Sequence, residues 1–333
     1  MANLEPLIQS IPVAPLKLAS LEGCRTLADQ VNNYLVSFRH ESPTNVGQAD
    51  SLQGYCADSY LLECECPRFG SGEGKGVLKE SVRGCDLFIM VDVTNYSLTY
   101  RVNGYENHMS PDNHYQDLKR IISAADGKAR RINVIMPFLY EGRQHKRSKR
   151  ESLDCALMLQ ELVDMGVSNI LTFDAHDPRV SNSIPLHGFD SFMPTYQFLK
   201  ALVNSVPDFV IDNDHLMIIS PDEGAMGRAV YFSNILGVDM GMFYKRRDYS
   251  TVINGKNPIV AHEFLGSDIK GKSVIIIDDM ISSGESMLDV AKQMKDRGAK
   301  QVFVCTTFGL FTDGFEKFDE FHEKGYIDRV ITT

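Results

Sequence analysis

The chain has 333 residues, enough for about two domains, and its 43% hydrophobic and 23% charged content is that of an ordinary water-soluble globular protein. A net charge of −10 excludes a general nucleic-acid binder, because nothing neutralises a long phosphate backbone, so any anion must be held at a local basic site. No apolar run approaches the span of a bilayer, MANLEPLIQSIPVAPLKLAS lacks the parts of a secretion signal, and seven unpatterned cysteines read as reduced thiols, so the expected location is cytoplasmic with no membrane partner.

Taken in chain order, short apolar runs alternate with helical patterns. Residues 42–59, SPTNVGQADSLQGYCADS, are polar, turn-rich and aperiodic, and read as a surface insertion. Strands are expected at LFIMVDV (87–93), RINVIMPF (131–138) and NILTFD (169–174), with a helix at SLDCALMLQELVDMG (152–166) that ends on a capping glycine. A domain boundary is expected near 193, giving domains 1–192 and 193–333. Beyond it come strands LMIISPD (216–222), SVIIIDD (273–279) and QVFVCTTF (301–308), with a helix at ESMLDVAKQMKDRG (285–298). Strands alternating with helices imply βαβ units and mainly parallel sheets, an α/β fold.

Five stretches carry chemistry. VIIIDDMISSGESM (274–287) runs a buried strand into two carboxylates that are costly to bury unpaired. Ligands of parallel sheets sit beyond the strands' carboxyl ends, and the small hydroxyl loop opens a helix whose free amides favour a phosphate. Asp278 and Asp279 suit vicinal sugar hydroxyls or a cation, so a sugar phosphate satisfies both halves; the plainer reading is that the aspartates cap the loop. Upstream, Gly266-Ser-Asp-Ile-Lys-Gly271-Lys272-Ser273 matches a P-loop pattern but leads into a strand instead of a helix, so it reads as a surface turn. GRQHKRSKR (142–150) concentrates cations after a strand, where Arg143 and Gln144 reach a polyphosphate unless the run is simply a solvated face. His176 lies between Asp174 and Asp177, a donor set that suits Mg²⁺ unless the histidine is structural. Lys245, Arg246 and Arg247 precede the polar loop DYSTVINGKNP, as a lid over a moving phosphoryl group requires; a surface turn is the alternative.

IIIDDMISSGESM resembles the phosphoribosyl-pyrophosphate signature of type I phosphoribosyltransferase folds. With RFGSGEGKGVLKESVRGCDLFIM (68–90), GRQHKRSKR, TFDAHD (172–177), SPDEG (220–224) and YKRR (244–247) in order, the chain resembles the ribose-phosphate pyrophosphokinase family from about residue 60 onward. The resemblance implies two phosphoribosyltransferase-like domains and transfer of the pyrophosphoryl group of ATP to the anomeric hydroxyl of ribose 5-phosphate. It further implies ATP contacts from Phe69, Ser71, Glu73, Arg143 and Gln144, with Phe69 and Glu73 on the adenine side of a neighbouring subunit's nucleotide. His176 and Asp222 become the Mg²⁺-associated residues, and Lys245 and Arg247 the catalytic cations. Asp278, Asp279, Ser282, Ser283, Gly284, Glu285 and Ser286 become the ribose 5-phosphate site, in a homo-oligomer that is a hexamer or a smaller even assembly. A closing helix is expected after DRVITT.

Three departures stand out. The nucleotide loop, Phe-Ser-Asp-Gly-Glu in the family, has Ser71 in place of its Asp; two aspartates of the basic segment are replaced by His145 and Ser148; and the phosphate loop opens on Ser282 instead of Asp while gaining Glu285. They motivate an alternative, a non-catalytic regulatory paralogue that binds nucleotide or sugar phosphate. The intact Lys245 and Arg247 speak against it. A phosphoribosyltransferase that consumes the activated sugar needs neither two such domains nor an ATP segment.

Overall fold

The computed structural model describes residues 12–41, 54–247 and 259–333, the side chains of 245–247 and 259–262 excepted. Two compact units divide the chain, Met1–Phe192 and Met193–Thr333. Most of the expected insertion lies outside the described residues, and 54–59 form turns and bends.

The first unit runs β1 (Leu16–Ser20), α1 (Arg25–Glu41), β2 (Leu61–Leu62), β3 (Cys64–Glu65), β4 (Val77–Leu78), β5 (Asp86–Met90), β6 (Thr99–Val102), β7 (Tyr105–His108), α2 (Pro111–Ala124), β8 (Arg131–Ile135), α3 (Asp154–Asp164), β9 (Val167–Phe173) and β10 (Gly188–Phe192). Six strands make one parallel sheet in the order β10-β9-β8-β5-β1-β2. Side chains alternate across a strand, so each strand serves two cores. Leu87 and Ile89 of β5 pack with Leu118 and Ile121 of α2 and Leu159 of α3, whereas Met90 and Leu18 pack with Ala28 of α1. β8 stops at Ile135, before the expected 138, as Pro137 has no N–H for the ladder. β6 and β7 form a separate hairpin turning at Asn103 (φ 51°) and Gly104 (φ 82°), the Asn-Gly signal of a tight turn with two left-handed residues.

The second unit runs α4 (Thr195–Ser205), β11 (Leu216–Ser220), α5 (Met226–Leu236), β12 (Met240–Arg247), β13 (Ile259–Leu265), β14 (Ser273–Ile281), α6 (Glu285–Asp296), β15 (Gln301–Gly309), α7 (Glu316–Glu323) and β16 (Arg329–Thr332). Its sheet has the order β13-β12-β11-β14-β15-β16, parallel except for the antiparallel β12–β13 pair. β14 is covered on both faces: Val274 and Ile276 share a core with Met287, Leu288 and Ala291 of α6, and Ile275 and Ile277 share one with Ala229 and Phe232 of α5. The Gly271-Lys272 segment enters β14 as a turn, with Lys272 N–H donating to the Ile269 carbonyl at 3.0 Å.

Candidate functional site

In the second unit the chain leaves β11 toward β12 and later returns to its other side as β14. The β11/β14 boundary is therefore the topological switch point, where open α/β sheets bind ligands. Each strand carries there acidic residues that the sequence singled out, Asp222 just after β11 and Asp278 and Asp279 within the last residues of the β14 ladder. After β11, the Asp222 Oδ1 atom accepts from the N–H groups of Gly224 (2.8 Å) and Ala225 (3.2 Å), which shapes the entry to α5. Its two carboxylate oxygens offer about four acceptor positions, so hard-cation or water binding remains chemically open to it.

The sequence places Asp278 and Asp279 at the end of β14, but the ladder continues past them. Asp278 lies in register with Thr306 of β15, and Met280 and Ile281 still pair with Phe308 and Gly309. The strand persists because the apolar residues resume and β15 itself runs on to Gly309. The two side chains leave the backbone in different directions, yet their carboxyl groups come within hydrogen-bonding reach of each other. Asp279, 2% exposed, lies on the α5 face with Ile275 and Ile277, and Arg228 Nη2 stands 3.8 Å from its Oδ2. Asp278 Oδ1 accepts from the Asp279 N–H at 2.9 Å, and its side chain also hydrogen-bonds that of Asp279. Burial, then the Asp279 charge, push the Asp278 carboxyl well above the usual carboxylate range, and Arg228 pulls it partly back. Thr306 Oγ1 is buried with no hydrogen-bond partner among the described residues.

The loop 282–286 follows directly. Gly284 has φ 84°, and a Cβ there would lie 2.4 Å from the Phe318 ring, so both backbone and space require glycine. Thr312 N–H donates to the Ser282 carbonyl at 3.0 Å, which ties this loop to the one after β15. α6 begins at Glu285, and the first-turn amides of a helix have no intrahelical acceptor. Ser283, Gly284 and Ser286 are thus set at a helix N-terminus with positive dipole. Glu285 occupies the same end and pairs with Lys317 at 3.1 Å.

Lys245 and Arg247 lie near the end of β12, opposite His262 and Ile259 of β13, with a register shift between Arg246 and Arg247. Their side chains and the loop 248–258 lie outside the described residues.

In the first unit, the basic segment follows β8. Arg143 is exposed; Gln144 spends its side-chain amide on the carbonyls of Ser152 (2.9 Å) and Lys146 (3.2 Å), closing the loop on itself. His145, one of the departures, meets the loop after β9: its ring centroid is 5.2 Å from that of His176, and its Nε2 is 3.4 Å from Asp177 Oδ2. Arg179 holds Asp177 down to about 2, and desolvation lowers the His145 imidazole against the pull of Asp177. Asp174, buried beside this cluster, adopts φ 39°, a conformation unusual for a side-chain-bearing residue. Phe69, Ser71 and Glu73 form a separate tight turn: Phe69 N–H donates to the Glu73 carbonyl at 2.7 Å and Ser71 Oγ to Glu73 Oε2 at 2.8 Å, leaving the Phe69 ring exposed. Among the described residues no group of three or more His, Cys, Asp or Glu side chains is arranged to hold a metal ion. Taken singly, the His176 imidazole of the first unit and the Asp222 carboxylate of the second are each donors of a kind that a hard cation accepts beside waters and phosphate oxygens.

Sequence reasoning passed over two side chains and one contact. Arg228 left one signal, the lone charge in AMGRAVYFSNIL; Lys317 left none, and the His145–Asp177 approach joins positions that no local spacing connects.

The first unit matches the family model described as the N-terminal domain of ribose phosphate pyrophosphokinase over residues 16–166, and the second matches the phosphoribosyl transferase domain over 199–328. The chain is 31% identical over 257 residues to a ribose-phosphate pyrophosphokinase of Thermosipho africanus, spanning 76% of this chain and 73% of that protein. It is 30% identical over 257 residues to one of Clostridium perfringens, spanning 76% and 72%. In fold it resembles phosphoribosylpyrophosphate synthetase from Mycobacterium smegmatis, with a TM-score of 0.69 and 20% identity over 96% of this chain and 94% of that one.

Proposed function

The chain belongs to the ribose-phosphate pyrophosphokinase family, and from that premise we propose that it transfers the β,γ-pyrophosphoryl group of ATP to the anomeric hydroxyl of ribose 5-phosphate, giving phosphoribosyl pyrophosphate and AMP. The observation that carries the reading is the switch point of the second unit: two adjacent, mutually contacting carboxylates on β14, followed by a glycine-opened helix N-terminus. No other ligand class uses both halves as well as a phosphorylated sugar does.

In this reading Asp278 and Asp279 accept hydrogen bonds from the ribose hydroxyls and fix the ring. The amides and hydroxyls of Ser282, Ser283, Gly284, Glu285 and Ser286 hold the 5-phosphate. With both ends of the sugar fixed, the anomeric hydroxyl oxygen attacks Pβ of ATP, the bond from Pβ to the oxygen it shares with Pα breaks, AMP leaves with that oxygen, and the hydroxyl proton passes to solvent. Catalysis of this kind is positioning plus charge stabilisation. Lys245 and Arg247 meet the charge that builds on the moving group. Phe69, Ser71, Glu73, Arg143 and Gln144 bind ATP; His176 in the first unit and Asp222 in the second are the metal-associated residues, and bound Mg²⁺ would neutralise and orient phosphate oxygens. The two units become the N-terminal, nucleotide-binding and the C-terminal, sugar-phosphate-binding phosphoribosyltransferase-like domains of a homo-oligomer.

A second reading, a non-catalytic paralogue that keeps ligand binding, draws on Glu285, a negative charge at the helix end meant for phosphate. AMP release from ATP and Mg²⁺, with and without ribose 5-phosphate, separates the two. The synthetase releases AMP only when the sugar is present and loses that activity in K245A; binding of ribose 5-phosphate with no AMP from wild type favours the paralogue.

A further inference from the structure

Arg228, the third residue of α5, is the only charged residue of that helix. That position is poor for a cation on two counts. The side chain is 8% exposed, and burying a charge costs free energy unless an opposite charge compensates it. It also lies in the first turn, where the helix dipole is positive and repels a cation. The apolar contacts of α5 with Ile275 and Ile277 are made by its neighbours Ala229 and Phe232. What lies opposite is the carboxylate pair. The Nη2 atom stands 3.8 Å from Asp279 Oδ2, and its charge is felt by Asp278 as well. Because α5 grows out of the loop that Asp222 caps, Arg228 is also fixed relative to the end of β11.

We infer that Arg228 is a positioning residue of the sugar site, the cation that orients Asp279 on the α5 face of β14 so that the carboxylate pair is ready for the ribose hydroxyls. The assignment rests on the reading of Asp278 and Asp279 as ribose ligands. It differs from a stabilising role in its consequence: loss of Arg228 disturbs the sugar through Asp279 and leaves the nucleotide alone.

The test compares wild type with R228K, R228M, D279N and R228M/D279N, by calorimetric binding of ribose 5-phosphate and by steady-state AMP release. R228M is expected to weaken ribose 5-phosphate, in both Kd and KM, by about tenfold or more, with the KM for ATP within about twofold of wild type. R228K, which keeps the charge, recovers most of the loss. The double variant binds the sugar no worse than D279N alone, since Arg228 acts through Asp279. Should R228M fail to fold, the double variant, which removes both buried charges, still makes the comparison with D279N. Equal losses toward both substrates, a double variant clearly weaker than D279N, or an unchanged affinity for the sugar would overturn the assignment. Wild type that binds the sugar but releases no AMP contradicts the proposed reaction while the calorimetric series still decides Arg228; wild type that does not bind it overturns both.

Discussion

At the scale of single residues, the sugar-phosphate loop is a balance of charges. Glu285 gains from the positive end of α6, but a phosphate entering the same cup meets its negative charge, which Lys317 offsets at 3.1 Å. Both side chains are exposed, so the effect is modest. K317M should raise the KM for ribose 5-phosphate by roughly twofold to fivefold, as fits an exposed pair, E285Q should restore it, and added salt should shrink both effects. Asp278 gives a second prediction with a definite sign. Its carboxyl is raised in the folded protein by burial and by Asp279, so the ionised form is the disfavoured one. The stability it contributes is present at pH below the unfolded carboxyl value, about 4, and is lost as the pH rises through the folded value. D278N should therefore melt at a higher temperature than wild type at neutral pH while losing turnover, and a lower melting temperature would contradict the assignment of strain to this pair. The carboxylates were legible in the sequence because two adjacent acids after four buried aliphatics demand a reason. Arg228 was not, since a single cation in a helix has no spacing signature and becomes meaningful only when β14 is set against α5.

At the scale of elements, the strands were readable because their β-branched runs admit few alternatives, and the errors fall where local signals end. β14 outruns its expected end by Met280 and Ile281, whose pairing with β15 is a long-range fact. β8 falls short because Pro137 has no hydrogen to donate. The meeting of the loops after β8 and β9 through His145 and Asp177 depends on those strands being neighbours, which composition does not reveal. The link between β14 and α6 makes the strongest elemental prediction. Gly284 combines φ 84° with a site where a Cβ would strike the Phe318 ring. G284A should cost about 1–3 kcal/mol in chemical denaturation and weaken ribose 5-phosphate binding with it. A variant as stable as wild type would show that the loop relaxes freely and does not hold a fixed cup.

At the scale of the whole molecule, two α/β units share one plan, and the alternation of strands and helices announces it in the sequence. Among the described residues no helix is long and apolar enough to cross a membrane, and all seven cysteines are free. If the active form is the proposed homo-oligomer, sedimentation should give an even multiple of the chain mass, and specific activity should fall on dilution through the dissociation range. A fully active monomer would remove assembly from the account. The most direct test of the central claim is the identity of the group transferred, read by ³¹P NMR of a reaction containing ATP, Mg²⁺ and ribose 5-phosphate. The account predicts AMP and phosphoribosyl pyrophosphate in equal amounts; ADP with a singly phosphorylated anomeric carbon, or no sugar-dependent product, would contradict it.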